Sequence, residues 1–361
     1  MSNKKEYKTL VKIWFIIIMI IPIVGLFNYI IDPYRINCHF NLNNINIYKK
    51  SNDGYTFRFK TNIIRKGNFT SLMLGSSRIG VMNPDIVDKY INGKTFNFEA
   101  PGSIPIQHYK LMMYALKYNN IKYIIYGIDF FSFNGNRTIK NDLKNFNQFN
   151  NEITNKKKIT NYDLYFNLST FQDSLYIIKE NILGNKIINM HYLCKNGMRD
   201  FEDRIDSLKN NKFDIDKFIK QSIHNYFRPN GVYKKYKFSY EYLKYFKRIV
   251  RYCKNNNIKL FVYIPPMYVE HFNKIYQTGY TKEFEVFKQE IVKITDYIDF
   301  TGNNIISNNK NNYWDSSHLR KEITPIIMDR IFNKSIEKQD NRVGILVTKK
   351  NITQHLKNIR P

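Results

Sequence analysis

Cysteine, glycine, proline and acidic residues are all sparse in this 361-residue chain, and a single long apolar run interrupts it. Three cysteines (Cys38, Cys194, Cys253) are too few for a disulfide framework. They allow at most one bridge, and none stands at the spacing of a metal knuckle. Fifteen glycines and ten prolines exclude collagen-like repeats and long flexible linkers. Hydrophobic residues at 43% and charged residues at 24% exclude wholesale disorder. The length suits one large domain or two small ones. The shortage of acids, 30 against 57 Lys and Arg, leaves a formal net charge of +27. Two readings of that excess stand side by side. Lys, Asn, Ile and Tyr are enriched in core-like and loop-like stretches alike, as compositional drift would produce; an anionic partner would select the same balance. No basic run is joined to a nucleic-acid-binding motif, so nucleic acid is not an expected partner.

The apolar run comes first. Residues 1–12 carry Lys4, Lys5, Lys8 and Lys12 against Glu6 alone, a short cytoplasmic tail. Residues 13–31 (IWFIIIMIIPIVGLFNYII) hold no charge over 19 positions. At about 1.5 Å per residue such a helix just spans a hydrocarbon core of about 30 Å. The run is longer than a signal-peptide core, has no small-x-small cleavage site after it, and lacks the polar face of a buried helix. It predicts an uncleaved single-pass anchor in the cytoplasmic membrane, with the lysines and N-terminus in the cytoplasm and the remainder extracytoplasmic.

Residues 32–68 are polar and irregular and read as a stalk. From residue 69 the texture changes to short apolar runs bounded by turn signals: 69–75, 94–99 and 122–128 as strands, with helices opening at Asn83-Pro84 and over 104–119. Residues 134–237 break the pattern with an Asn- and Lys-rich stretch, read as an insertion or cap with helical pieces at 170–181 and 201–208. The alternation resumes with a helix over 239–256, a strand at 259–264 ending in Pro265-Pro266, a helix over 282–293, a strand at 297–300 and a closing helix over 321–336. The expected fold is therefore α/β: a three-layer α/β/α sandwich with a mostly parallel, flavodoxin-like sheet over 69–336. In the 337–361 tail, residues 344–348 (GILVT) suit an edge strand or packing elsewhere.

Ligands of open parallel sheets bind beyond the carboxyl ends of the strands. That rule selects Gly75-Ser76-Ser77-Arg78, the loop 100–103 with Gly102, Asp129 and Asn134, Pro265-Pro266, and Trp314-Asp315-Ser316-Ser317-His318. A serine nucleophile needs a base within hydrogen-bond reach, a carboxylate to orient that base, and N–H donors for the developing oxyanion. Ser77 on a strand-to-helix turn, with Asp315 and His318 three residues apart, can meet the first two needs. Gly102 lets backbone approach a substrate closely. Each segment also has a plainer reading. Gly75-Ser76-Ser77 suits a helix cap or, without the P-loop lysine, a phosphate nest; Asp315 suits a cap of the last helix. Arg78 suits an ion pair better than a substrate clamp, and Asp129 and Asn134 suit turn positions. Trp314 and Tyr313 can wall a site or merely pack. No second His, Cys or carboxylate stands at ligand spacing near His318, so no metal and no other cofactor is expected.

The order of Gly75-Ser76-Ser77, Gly102 and Asp315-x-x-His318 resembles the blocks of the SGNH (GDSL-like) hydrolase superfamily. The closer likeness is to its membrane-anchored branch, which includes the DltD-type D-alanyl-lipoteichoic acid biosynthesis proteins and the alginate O-acetyltransferase-like proteins. The resemblance spans residues 69–336 without the insertion. It implies Ser77 as nucleophile, His318 as base, Asp315 as its orienter, and oxyanion donors from Ser77 N–H and Gly102. It further implies a serine acyl esterase or O-acyltransferase modifying a cell-surface polysaccharide or teichoic-acid-like polymer, with a membrane-bound protein delivering the acyl group. Two departures stand out. Ser76 occupies the acid position of Gly-Asp-Ser. Gly127-Ile128-Asp129 stands where the superfamily has Gly-x-Asn, and an ionised carboxylate there cannot donate to an oxyanion. Either Asn134 substitutes or the hole lacks a donor. The second departure and the net charge also suit a catalytically weak or inactive relative that binds an anionic glycan or scaffolds an envelope complex.

Overall fold

The computed structural model describes residues 2–137, 161–333 and 343–361. Its strands are β1 (Ser71–Leu74), β2 (Thr95–Asn97), β3 (Tyr123–Gly127), the hairpin β4 (Met190–Tyr192) and β5 (Arg199–Phe201), then β6 (Lys259–Ile264), β7 (Tyr297–Asp299) and β8 (Ile345–Val347). Its helices are α1 (Ser2–Ile31), α2 (Thr56–Lys66), α3 (Ser77–Gly80), α4 (Pro84–Val87), α5 (Pro105–Tyr118), α6 (Tyr162–Tyr165), α7 (Leu168–Ile182), α8 (Glu202–Lys209), α9 (Ile215–Phe227), α10 (Tyr240–Asn255), α11 (Val269–Gln277), α12 (Thr281–Val292), α13 (Thr324–Asn333) and α14 (Ile352–Ile359).

Six strands form one sheet in the order β2-β1-β3-β6-β7-β8. All neighbours are parallel except β8, which runs antiparallel to β7. Leaving out the hairpin, this is the doubly wound order, with its switch point between β1 and β3. The period of two along each strand divides the apolar side chains between two cores. Leu72, Leu74, Ile124, Tyr126, Val262 and Ile264 face α5, α10, α11 and α12. Met73, Ile125 and Tyr263 face α4 and α13. The domain is thus a three-layer α/β/α sandwich. Helix α10 illustrates why these segments fold as they do. Tyr242, Phe246, Ile249 and Cys253 recur at helical spacing and are all buried, while Ser239 caps the first turn by accepting from Tyr242 N–H. Each such side chain removed from water is worth about 1.5–3 kcal/mol.

Three features differ from the sequence expectations, and the structure settles a fourth, the place of the tail, that the sequence leaves open. The segment 32–68 is no stalk. Helix α2 buries Phe57, Phe59 and Ile64, and its Lys60 ammonium lies fully buried on Glu99 Oε1 (3.1 Å) and Asn97 O (2.9 Å). Burial, only partly offset by Glu99, pulls the Lys60 amine down to about 8. The inserted region contributes the hairpin β4–β5, which has no strong period in the sequence, and α9, whose Ile215, Phe218, Ile219, Ile223, Tyr226 and Phe227 recur at helical spacing; Cys194 of this region is disulfide-bonded to Cys38. Helix α11 follows Pro265-Pro266 by three residues; it is too short to stand out beside a turn signal, yet it buries His271, Phe272 and Ile275. The tail is part of the body, with β8 on the sheet edge and α14 packed behind it. Residues 138–160 of the insertion, the last three residues of the expected closing helix and the start of the tail lie outside the described residues. At the other end, residues 6–31 of α1 form one helix long and apolar enough to cross a membrane.

Candidate active site

The turn after β1 is built around Gly75, whose φ of +144° lies where L side chains are rare. A Cβ at this position would stand 2.4 Å from Gly127 O of the neighbouring strand, so only glycine lets the chain pass so close to β3. Ser76 then caps α3: its Oγ accepts from Arg78 N–H (3.3 Å) and donates to Asp129 Oδ2 at the end of β3 (2.5 Å). Ser77 opens α3 and is half-buried.

From the far end of the chain, the loop after β7 brings His318. Its Nε2 lies 2.9 Å from Ser77 Oγ, across 241 residues of sequence. Its Nδ1 lies 2.8 Å from Asp315 Oδ2. The Asp315 carboxylate is held in turn: Oδ1 accepts from the N–H groups of Ser317 (2.9 Å) and His318 (3.0 Å), and Arg204 Nη1 approaches Oδ2 at 3.3 Å. Burial by itself would raise the Asp315 carboxyl. The adjoining imidazole, its hydrogen bond and Arg204 outweigh that penalty and hold the carboxyl well below the usual range. An ionised carboxylate only accepts, so Nδ1 of His318 carries the ring proton and Nε2 is left to accept from Ser77. Ser77, His318 and Asp315 therefore form a continuous hydroxyl–imidazole–carboxylate relay, with Ser77 and His318 both reached by solvent.

The loop bearing Gly102 is fastened beside the Ser77 turn. Ala100 N–H and Ser103 Oγ both donate to Gly75 O, at 3.0 and 3.2 Å. Gly102 itself has φ of +62°, and its carbonyl accepts from Arg137 Nη2 at 2.8 Å.

Asp129, Asn134 and Arg78 do not line the site as substrate contacts. Asp129 is fully buried, receives Ser76 Oγ–H and pairs with Arg78 (Nε–Oδ1 3.3 Å), so its carboxylate braces the Ser76–Ser77 turn from behind. Burial pushes its carboxyl upward, against the pull of Arg78 and of the Ser76 hydrogen bond. Arg78 is also fully buried, between the rings of Phe131 and Tyr226. Burial works against its charge, but Tyr226, Asp129 and Tyr233 outweigh that cost and keep the guanidinium protonated. Asn134 is engaged elsewhere: its amide donates to Lys234 O (3.3 Å) and its carbonyl accepts from the N–H groups of Asn136 and Lys237. It closes the neck of the insertion, buried there with its carbonyl and one amide N–H engaged. Tyr313 and Trp314 are buried packing residues of the second core.

Four nearby residues carried no sequence signal. Arg204 and the Phe201 ring, 6.1 Å from the His318 ring, come from the inserted region, as does Tyr226, whose hydroxyl lies 3.4 Å from Ser317 Oγ. His271 of α11 is buried against Ser316 Oγ (2.8 Å) and the Tyr233 hydroxyl (3.1 Å); burial and then Arg78 hold its imidazole well below the usual range, hence neutral.

Comparison with known proteins adds one assignment. No curated protein matches the chain. A family profile covers residues 59–335, from α2 through the closing helix, and takes in every residue of the relay. The chain belongs to that family, described as proteins of unknown function, DUF1574.

Proposed function

We propose that the protein is a membrane-anchored, extracytoplasmic serine acyl esterase or O-acyltransferase of the SGNH type that modifies a cell-surface polysaccharide. The observation that carries this reading is the Ser77–His318–Asp315 relay, assembled from segments 241 residues apart around a solvent-reached hydroxyl. In the proposed reaction Ser77 Oγ attacks the carbonyl carbon of the acyl donor while His318 Nε2 takes its proton. The tetrahedral oxyanion is met by backbone N–H groups of Ser77 and Gly102, as in the superfamily that the motifs resemble. Collapse breaks the donor's C–O bond, and His318 returns the proton to the leaving oxygen. A water or a sugar hydroxyl, deprotonated by His318, then attacks the acyl-serine and restores the enzyme. Asp315 holds the imidazole and stabilises its charged form. Asp129, Ser76 and Arg78 keep the turn in place.

Two observations support the location. The apolar helix carries its lysines at the N-terminal end, which favours a cytoplasmic N-terminus. The Cys38–Cys194 bridge suits an oxidising compartment on the other side. A membrane-bound protein presenting the acyl group is the partner this placement calls for. A second reading is favoured by Asp129 standing where an oxyanion-donating Asn is expected and by the net charge of +27: a binding protein for an anionic glycan, with little or no turnover. One experiment separates the two. The full chain in detergent is treated with a fluorophosphonate and the added mass is located by peptide mapping. Modification at Ser77, absent in Ser77→Ala, supports the acyl-serine reading; a folded chain that takes no label supports the binding reading.

A further inference from the structure

Helix α7 has its amphipathicity inverted. The face it turns into the protein carries Thr170, Ser174, Ile177 and Asn181, three of them polar. The face it turns outward carries Leu168, Leu175 and Ile182, at intervals of two helical turns and therefore in one stripe, with Gln172 and Lys179, whose long side chains can reach the headgroups, between them. The three apolar residues are 71%, 47% and 67% exposed. A helix in contact with water on that side gains nothing from such an arrangement, whereas one in contact with hydrocarbon does.

The place of α7 in the fold names its surroundings. Helix α7 and the short α6 are packed on the last two turns of α1. The Phe27 and Phe171 rings meet at 5.3 Å, Ser174 Oγ donates to Asn28 Oδ1 (2.9 Å), and Asn28 Nδ2 donates to Tyr165 O (2.7 Å). At Gly25 the approach is so close that a Cβ would fall 2.3 Å from the Phe166 ring. On the other side, Asn46 Nδ2 caps the end of α1 through Ile31 O (3.0 Å), and the loop carrying it exposes Phe40, Leu42 and Ile47. Counting back from Ile31, contacts at residues 25–28 fall within the last 10 Å or so of a span of about 30 Å. The apolar stripe is therefore fixed at the depth where the apolar helix leaves the bilayer.

We propose that α7, with the exposed tip of the 40–47 loop, forms a collar inserted into the lipid at the membrane surface, so that the domain is seated on the bilayer and not merely tethered to it. The occupant of the apolar face is lipid, because that face continues the surface of α1. This rests on α1 crossing the membrane and is independent of any chemistry at Ser77.

The test uses the full chain in phosphatidylcholine–phosphatidylglycerol vesicles. Cys38 and Cys194 are bonded to each other and Cys253 is buried, so one added cysteine takes an environment-sensitive fluorophore selectively. Leu175→Cys is compared with Lys254→Cys on the exposed face of α10 and with Ile20→Cys within α1. The expected result at position 175 is a blue-shifted emission, quenching by lipid-borne nitroxides placed near the headgroups, and quenching by aqueous iodide several-fold weaker than at position 254. Iodide quenching equal to that at position 254 overturns the collar. Shielding from both quenchers also overturns it, since a second copy or residues 138–160 would then cover the face. If position 20 reads lipid while position 175 reads water, the span stands and the collar alone fails. If position 20 also escapes nitroxides placed deep in the acyl chains, the membrane reading of α1 fails with it.

Discussion

Two aspartate–histidine pairs sit at the carboxyl end of the same sheet, and they behave differently. Asp299 ends β7; its Oδ2 accepts from His355 Nε2 (2.8 Å) and from Lys288 Nζ (2.6 Å), and its Oδ1 accepts from Thr301 N–H and Oγ–H. Asp315 lies in the loop that follows, with His318 Nδ1 at the same 2.8 Å. Both carboxyls are raised by burial and then held well below their usual range by the cations and imidazoles around them. The difference lies beyond the imidazole. His355 is closed off with Lys288 at its shared carboxylate, and the cluster clasps α12, β7 and α14 together. His318 presents its second nitrogen to a serine hydroxyl that solvent reaches. An Asp–His pair is thus not by itself the mark of a site: one here belongs to a buried cluster with a lysine, the other stands beside a serine hydroxyl that solvent reaches.

The largest contrast should come from removing one partner in each place. Ser77→Ala should abolish fluorophosphonate labelling while leaving the thermal midpoint unchanged, whereas His355→Ala should lower the midpoint and leave labelling of the folded protein intact. Asp315→Asn, which favours the wrong imidazole tautomer, should slow labelling by about 10⁴-fold with only a modest change in stability. Asp299→Ala should do the reverse. It strands the buried Lys288 ammonium, and denaturant titration should show a loss of about 3–5 kcal/mol, with labelling of the folded fraction unchanged. The same carboxyls set an acid limit. Their folded values lie below the unfolded value of about 3.9, so the stability they contribute is complete above that pH and is lost as the pH falls beneath it. The midpoint should already decline between about pH 6.5 and 5, as the unfolded chain protonates His108 and His271, which stay neutral in the fold, and should fall further below about pH 4, less steeply there in Asp299→Asn. The smallest effect is expected from Arg204→Ala: loss of one partly exposed charged contact to Asp315 should slow labelling by about tenfold or less.

The comparison also explains what could be read from the sequence. Five of the six sheet strands were legible because each is a short run with apolar residues between turn signals, and their carboxyl ends pointed to Ser77, Gly102 and the Asp315–His318 turn; residues 344–348 were open between an edge strand and packing elsewhere. His318 stood apart from His355 by a carboxylate three residues before it; the carboxylate of His355 is 56 positions away and invisible without the fold. Residues 32–68 read as a stalk because they are polar, yet their cations are buried against acids: Lys60 meets the buried Glu99, and Arg58 makes a two-pronged contact with the exposed Asp163 (2.6 Å each). Burial by pairing leaves no hydrophobic period to detect. Arg204, Tyr226 and His271 were missed for a related reason, since they come from an inserted region and a short helix whose positions depend on long-range packing. Asp129 and Asn134 were noticed but misassigned. Which way a buried side chain points after a strand depends on its neighbours, here Ser76 and Arg78 for one and the neck of the insertion for the other.

The 241-residue separation between Ser77 and His318 has a consequence in time. Chains fold as they are made, from the N-terminus, and contacts between distant segments form late because the intervening chain must first be ordered. The turn that presents Ser77 follows β1 and is braced from β3, whereas His318 arrives with the loop after β7. A growing or half-folded chain therefore carries the serine without its histidine. On the function proposed above, the reactivity of that hydroxyl would report whether the whole sheet has been completed.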